Sequence, residues 1–149
     1  MTKHHYPALA VDVIIEREDK LLLIKRKNEP FKYSYAIPGG FINEGELVEA
    51  AAVREILEET NVNVLLIDIL GVYSAPNRDP RGHVISIVFV GKIIGGELKA
   101  GDDAGSYEWV TIDDITNSKV AFDHIRILQD YRCWKVSKST YWSSKQPQI

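Results

Sequence analysis

The segment from Pro38 to Val62 constrains this chain more than any other. Pro38-Gly39-Gly40 breaks any regular element. From about Glu46 to Thr60 nearly every residue is a strong helix former, and Asn61 is an acceptable left-handed stop. At roughly 100° per residue, Glu55, Glu58 and Glu59 fall within an arc of about 100°. Their two like-charge pairs, three and four residues apart, cost roughly 0.2–0.5 kcal/mol each. Glu58 and Glu59 also sit in the last turn, where the helix dipole is already negative. The placement opposes the helix, so something positive should compensate.

Arg54 can pair with Glu58 four residues on, but one arginine cannot neutralise three carboxylates. The bland alternative is a solvated acidic face. Against it, Val48, Ala51 and Ala52 share the arc, while Ala50, Val53, Ile56 and Leu57 occupy the other side. Both sides are partly apolar, which sets the glutamates in a recess beside packed residues. Hard oxygen ligands gathered this way suit Mg²⁺ or Mn²⁺, which take their remaining ligands from water and phosphate.

Strands are expected on both sides of this helix. Ala8 to Glu16 alternates apolar and polar, and Glu18-Asp19 turns the chain into Lys20–Arg26. Asn28–Tyr35 reads as an aromatic loop. Further strands follow at about Val62–Tyr73, Val84–Ile94 and Tyr107–Val110, with a helical turn at Ile112–Ile115 and a last helix at about Phe122–Lys135. From about Ser137 the tail is polar except for Tyr141-Trp142. Helices covering a mixed sheet are implied, an α/β architecture in one domain over the 149 residues.

A formal net charge of −3, from 18 basic and 21 acidic residues, argues against a nucleic-acid partner. A phosphorylated small molecule fits if a cation supplies the missing positive charge. No run is apolar and long enough for a membrane span, and Cys133 is the single cysteine, which suits a reducing cytoplasm.

Taken with its neighbours, the helix gives Gly40, five residues, Glu46, seven residues, Arg54-Glu55-Ile56-Leu57-Glu58-Glu59, then Val62. This pattern resembles the signature of the Nudix hydrolases, a loop–helix–loop of 23 residues from Gly40 to Val62. One position departs from it, Asn61 standing where the signature has glycine. Asparagine tolerates the left-handed conformation better than most residues, so the turn should survive. The resemblance implies a Nudix-type α/β/α sandwich with a central mixed sheet. It also implies Mg²⁺-dependent hydrolysis of a nucleoside diphosphate linked to another moiety. By the same resemblance Glu55, Glu58 and Glu59 bind the metal, with the Gly40 carbonyl as a further ligand, and Glu46 and Arg54 orient loop and helix. Glu108, before Trp109, stands where some relatives carry another glutamate and is a ligand, the base, or only an exposed strand carboxylate. The base is left open among Glu55, Glu108 and an acid of the Lys99–Ser106 loop, Asp102 or Asp103.

The loop Ser74–His83 and the segment Val120–His124 resemble ADP-ribose pyrophosphatase-type members, and the likeness spans most of Val11–Leu128. Hydrolysis of ADP-ribose to AMP and ribose 5-phosphate is the leading reading. A nucleoside-triphosphate pyrophosphohydrolase is the alternative, and a non-catalytic ADP-ribose sensor is disfavoured by the intact glutamates and the short chain. Arg78 and Arg81 could bind phosphate, or simply pair with Asp79. Phe31, Tyr33 and Tyr35 could stack on adenine ahead of Gly39 and Gly40, or pack the loop onto the sheet. Asp123 reads as a cap on the last helix. Relatives often form homodimers, and Tyr141-Trp142 could pack on a partner subunit or on its own core.

Overall fold

A computed structural model describes residues 5–101, 104–115 and 119–146. The chain begins with β1 (Ala8–Arg17) and β2 (Lys20–Arg26), joined at Glu18-Asp19, where φ is 54° and 65°. Two consecutive left-handed residues give the tight hairpin whose twist matches that of its strands. Short strands β3 (Tyr35–Ala36) and β4 (Gly39–Phe41) lead into α1 (Val48–Thr60). The long strands β5 (Val62–Tyr73) and β6 (Val84–Gly96) follow, then β7 (Ala104–Val110), a 3-10 turn at Ile112–Asp114, α2 (His124–Ser137) and β8 (Tyr141–Trp142).

The sheet runs β3-β2-β1-β6-β5-β8, with β4 added to β1 and β7 to β2. It is mixed: β1 lies parallel to β6, and β5 antiparallel to β6. Each face has its own core. Val11, Val13, Ile15, Val62, Val64 and Phe89 pack with Ala51, Ala52 and Ile56 of α1. On the opposite face Ile14, Leu23, Leu70 and Val90 pack with Ile127, Leu128, Tyr131 and Trp134 of α2. Alternation along β1 sends Val13 to one helix and Ile14 to the other, which is how one strand serves two cores.

Several elements depart from the sequence expectation, among them β7, which begins at Ala104 rather than Tyr107, and β6, which runs on to Gly96. Helix α1 starts at Val48 rather than Glu46, because the Glu46 carboxylate turns back to accept the Asn43 backbone N–H at 3.0 Å and braces the loop. Helix α2 starts at His124 rather than Phe122, whose φ of 54° cannot belong to a right-handed helix. The tail is not an idle polar extension: Tyr141 and Trp142 pair with Gly71 and Val72, and Tyr141 is buried in its own core. Asn61 does hold the left-handed stop, at φ 63°, its N–H bonded to the Leu57 carbonyl and its amide to the Glu97 carbonyl at 2.9 Å. Among the described residues no helix is long and apolar enough to cross a membrane.

Candidate active site

The glutamates of α1 split by direction. Ala51, Ala52, Ile56 and Thr60 form the buried stripe of the helix. Glu55 and Glu59 flank that stripe, one turn apart, while the Glu58 side chain is 59% exposed. Arg54 is the positive group nearest to them. Its guanidinium holds Glu46 through two nitrogens at 2.7 and 2.9 Å, Glu55 at 2.8 Å, Glu58 at 3.1 Å and the Phe41 carbonyl at 3.0 Å. The Arg54 bond pulls the Glu46 carboxyl down to about 2. Arg54 thereby ties the helix to the loop carrying Gly40 and Phe41.

Glu59 lies beyond that arginine's reach. One of its oxygens accepts the Gly39 N–H at 2.8 Å. Burial, with Asp12 and Glu55 nearby, pushes its carboxyl up to about 8 despite that bond and the more distant Arg26. Burial also raises Glu55 against the pull of Arg54. At Gly40 a Cβ would overlap the Glu55 carboxylate as it is placed, so glycine lets strand β4 approach that acid without displacing it. A buried Glu59 with no bonded cation, beside a half-buried Glu55 and a bare glycine backbone, fits a hard divalent cation at Glu55, Glu59 and the Gly40 carbonyl, with Glu58 at the rim. Among the described residues no three His, Cys, Asp or Glu side chains converge on one point, because Arg54 stands between Glu55 and Glu58.

Glu59, Gly39 and Gly40 open onto a pocket also lined by Asp12, Arg26, Phe41, Arg81 and Phe122. Arg81 is fixed to Asp79 through two nitrogens, at 2.8 and 3.1 Å, and lies 5.8 and 5.7 Å from the ring centroids of Phe41 and Phe122. Arg26 spends its Nε on the Pro30 carbonyl at 2.8 Å and lies 5.1 Å from the Phe122 ring. Burial and the neighbouring Arg81 depress the Arg26 pKa. The pocket lining thus carries both carboxylates and guanidinium groups.

Several expected residues lie elsewhere. Tyr33 is exposed, at 68%, and does not line the pocket; Lys32 sits 5.1 Å over its ring. Tyr35 also lies outside the pocket, and its hydroxyl donates to Glu108. Glu108 pairs in register with Leu23, which belongs to the α2 core, so it faces away from α1 and its glutamates. Alternation along β7 decides this, since Tyr107 and Trp109 take the α1 side. Arg78 lines the pocket, but its guanidinium is spent on Asp123, at 2.7 and 3.0 Å, rather than on Asp79. Asp123 does stand at the N-cap of α2, where its backbone carbonyl accepts the Arg126 and Ile127 N–H, but its carboxylate makes no capping bond. Asp102 and Asp103 lie outside the described residues; beside them, the Gly101 N–H caps the Glu59 carbonyl at 2.8 Å.

Asp12, Arg26, Phe41 and Phe122 were not singled out from the sequence as site residues. Asp12 did leave a signal, a lone acid among the valines and isoleucines of β1. It is buried, accepts the Ser86 hydroxyl and lies against Gly39.

The chain is similar to known proteins in sequence and in fold. The NUDIX domain family matches residues 6–131. An ADP-ribose pyrophosphatase of Methanocaldococcus jannaschii is 58% identical over 130 residues, which cover 87% of this chain and 76% of the relative. A putative 8-oxo-dGTP diphosphatase of Bacillus subtilis is 37% identical over 107 residues, 71% of this chain and 67% of the relative. Among solved structures, a bifunctional NMN adenylyltransferase/ADP ribose pyrophosphatase of Francisella tularensis, complexed with AMP and a manganese ion, superposes with a TM-score of 0.74. It is 29% identical and is matched over 86% of this chain and 42% of that one. The chain belongs to the Nudix hydrolase family.

Proposed function

We propose that this Nudix pyrophosphohydrolase acts on ADP-ribose, giving AMP and ribose 5-phosphate. One observation carries the reading: Glu59, held by Gly39, opens onto the same pocket as Arg26, Arg81 and the rings of Phe41 and Phe122. A diphosphate could sit between the carboxylates, through a bound cation, and the guanidinium groups, with a planar base against the rings. The name of the 58% identical relative supports the choice of substrate.

Glu55, Glu58, Glu59 and the Gly40 carbonyl would hold Mg²⁺, or Mn²⁺. When bound, such an ion neutralises phosphate oxygens and lowers the pKa of an attached water. Arg54 orients Glu55 and Glu58, and Glu46 holds Arg54 in place. Arg81 faces the diphosphate as a guanidinium already set by Asp79. Glu55 is favoured over Glu108 as the base, because Glu108 faces the other side of the sheet. Water oxygen attacks one phosphorus, its proton passes to the base, and the bridging P–O bond breaks with its electron pair leaving on the other phosphate. A cytoplasmic setting belongs to the same reading and suits an exposed free Cys133.

Steady-state turnover of ADP-ribose against a panel of dNTPs and 8-oxo-dGTP, with Mg²⁺ or Mn²⁺, tests this. We expect kcat/KM for ADP-ribose to be at least tenfold the highest triphosphate value. A preference for a triphosphate would favour the second reading, for which the 37% identical diphosphatase is the supporting observation.

A homodimer is part of the proposal. On the α1 side of the sheet the register joins Leu9 to Ile85, Ile87 to Val72, and Val72 to Trp142. Leu9, Ile69, Val72 and Trp142 lie beyond the edge of α1 and are between 40% and 49% exposed. The four side chains are apolar, with the Lys145 ammonium 4.8 Å from the Trp142 ring centroid, and the core of a homodimer interface is characteristically apolar. Two copies related by a two-fold axis would cover it.

A further inference from the structure

Phe122 is held in a backbone conformation that bulky residues avoid, and everything next to it is pinned. Its φ is 54°. Before it, the Ala121 N–H donates to the Tyr35 carbonyl at 2.8 Å. After it, Asp123 accepts both bonds from Arg78, whose side chain is only 5% exposed. The ring of buried His124 accepts the Ile37 N–H through Nδ1 at 3.0 Å. An overdetermined, unfavourable conformation beside a pocket is a mark of function rather than of folding need.

What these ties do fix is the direction of the Phe122 ring, which lines the pocket. Phe31 meets it edge-on at 4.9 Å, the His124 ring lies tilted against it at 5.3 Å, and the guanidinium groups of Arg26 and Arg81 sit over the ring, 5.1 and 5.7 Å from its centroid. A phenyl ring offers a flat apolar surface and no hydrogen bond, which suits a nucleobase and not a ribose ringed with hydroxyls. The guanidinium groups beside it suit the phosphate attached to that base.

We propose that Phe122 is a specificity-determining residue, the surface on which the base of the substrate's nucleoside half rests. Arg78 is its positioning residue: buried and spent on Asp123, it holds the turn that aims the ring and does not itself take phosphate. The proposal rests on the nucleotide-hydrolase reading above but separates from it experimentally.

The test is product inhibition in the full chain, with AMP and ribose 5-phosphate as the two probes. In Phe122→Leu, KM for ADP-ribose should rise by a larger factor than kcat falls, and the AMP inhibition constant should rise at least tenfold. The ribose 5-phosphate constant should change less than threefold. Phe122→Tyr should restore most of the AMP affinity, and Arg78→Lys should weaken AMP in the same sense through a looser turn. Should Phe122→Leu fail to fold, Phe122→Gly carries the test, because glycine accepts the left-handed backbone. Equal weakening of both probes, or an unchanged AMP constant in a folded variant, overturns the proposal. If the unaltered chain prefers another nucleotide, the ADP-ribose reading fails by itself, and the same comparison is made with that nucleotide's monophosphate.

Discussion

Three glutamates within five residues have three different surroundings. Glu58 points outward, Glu55 shares Arg54, and Glu59 is buried against Gly39 with its carboxyl pushed up to about 8. A charge placed there costs folding free energy, so its retention calls for a use. We expect Glu59→Gln to lower kcat at least a hundredfold while the melting temperature stays level or rises. The amide oxygen can still accept the Gly39 N–H and no longer brings a buried charge. Kinetics and a thermal melt on the same preparation check both halves, and activity within threefold of the unaltered chain would remove Glu59 from the site. The wheel placed all three acids on one arc, and that much was legible. Their division was not, because it depends on which neighbours cover each position, and the neighbours come from β1 and β4.

At the scale of elements, the hairpin, the central helix and the long strands follow from local signals: the Glu18-Asp19 turn, the helix formers after Gly45, and the apolar runs of β5 and β6. The docking of α2 does not. Glu16 at the end of β1 is one of its fasteners, accepting from the Tyr131 hydroxyl at 2.5 Å and from Lys135 at 2.6 Å. Burial alone would raise the Glu16 carboxyl, but those two hydrogen bonds and the Lys135 charge hold it below its ordinary value. A carboxyl depressed in the folded state contributes stability above its unfolded pKa, near 4.5. That contribution is lost as pH falls through the folded value. Urea melts of the unaltered chain and Glu16→Gln should therefore differ by about 1–2 kcal/mol at pH 7. The difference should shrink steadily below pH 4.5. A gap that stayed constant from pH 7 to pH 3 would show that the carboxylate charge plays no part.

Across the whole molecule, a sheet with a helix on each face leaves one apolar region of the α1 side uncovered, around Leu9, Ile69, Val72 and Trp142. A lysine at position 72 would place a charge in the middle of that surface, and in a symmetric pair would place two. Sedimentation equilibrium at micromolar concentration should show a dimer for the unaltered chain and a monomer for Val72→Lys, both folded by circular dichroism. A monomer in the first case, or a dimer in the second, would discard this face as the interface. The sequence pointed only to Tyr141-Trp142 as a segment that could meet a partner; β5 reads as an ordinary strand until the reach of α1 is known.

By itself the sequence determined the mixed α/β plan, the Gly40–Val62 unit and its family, because these rest on periodicity, turn chemistry and spacing within short stretches of chain. Only the tertiary structure decided that Tyr35 belongs with Glu108, Arg78 with Asp123, and Phe122 with Arg26 and Arg81. Those partners are 73, 45, 96 and 41 residues apart. No local propensity encodes them; the strand register brings them together, and the register is set by both cores at once.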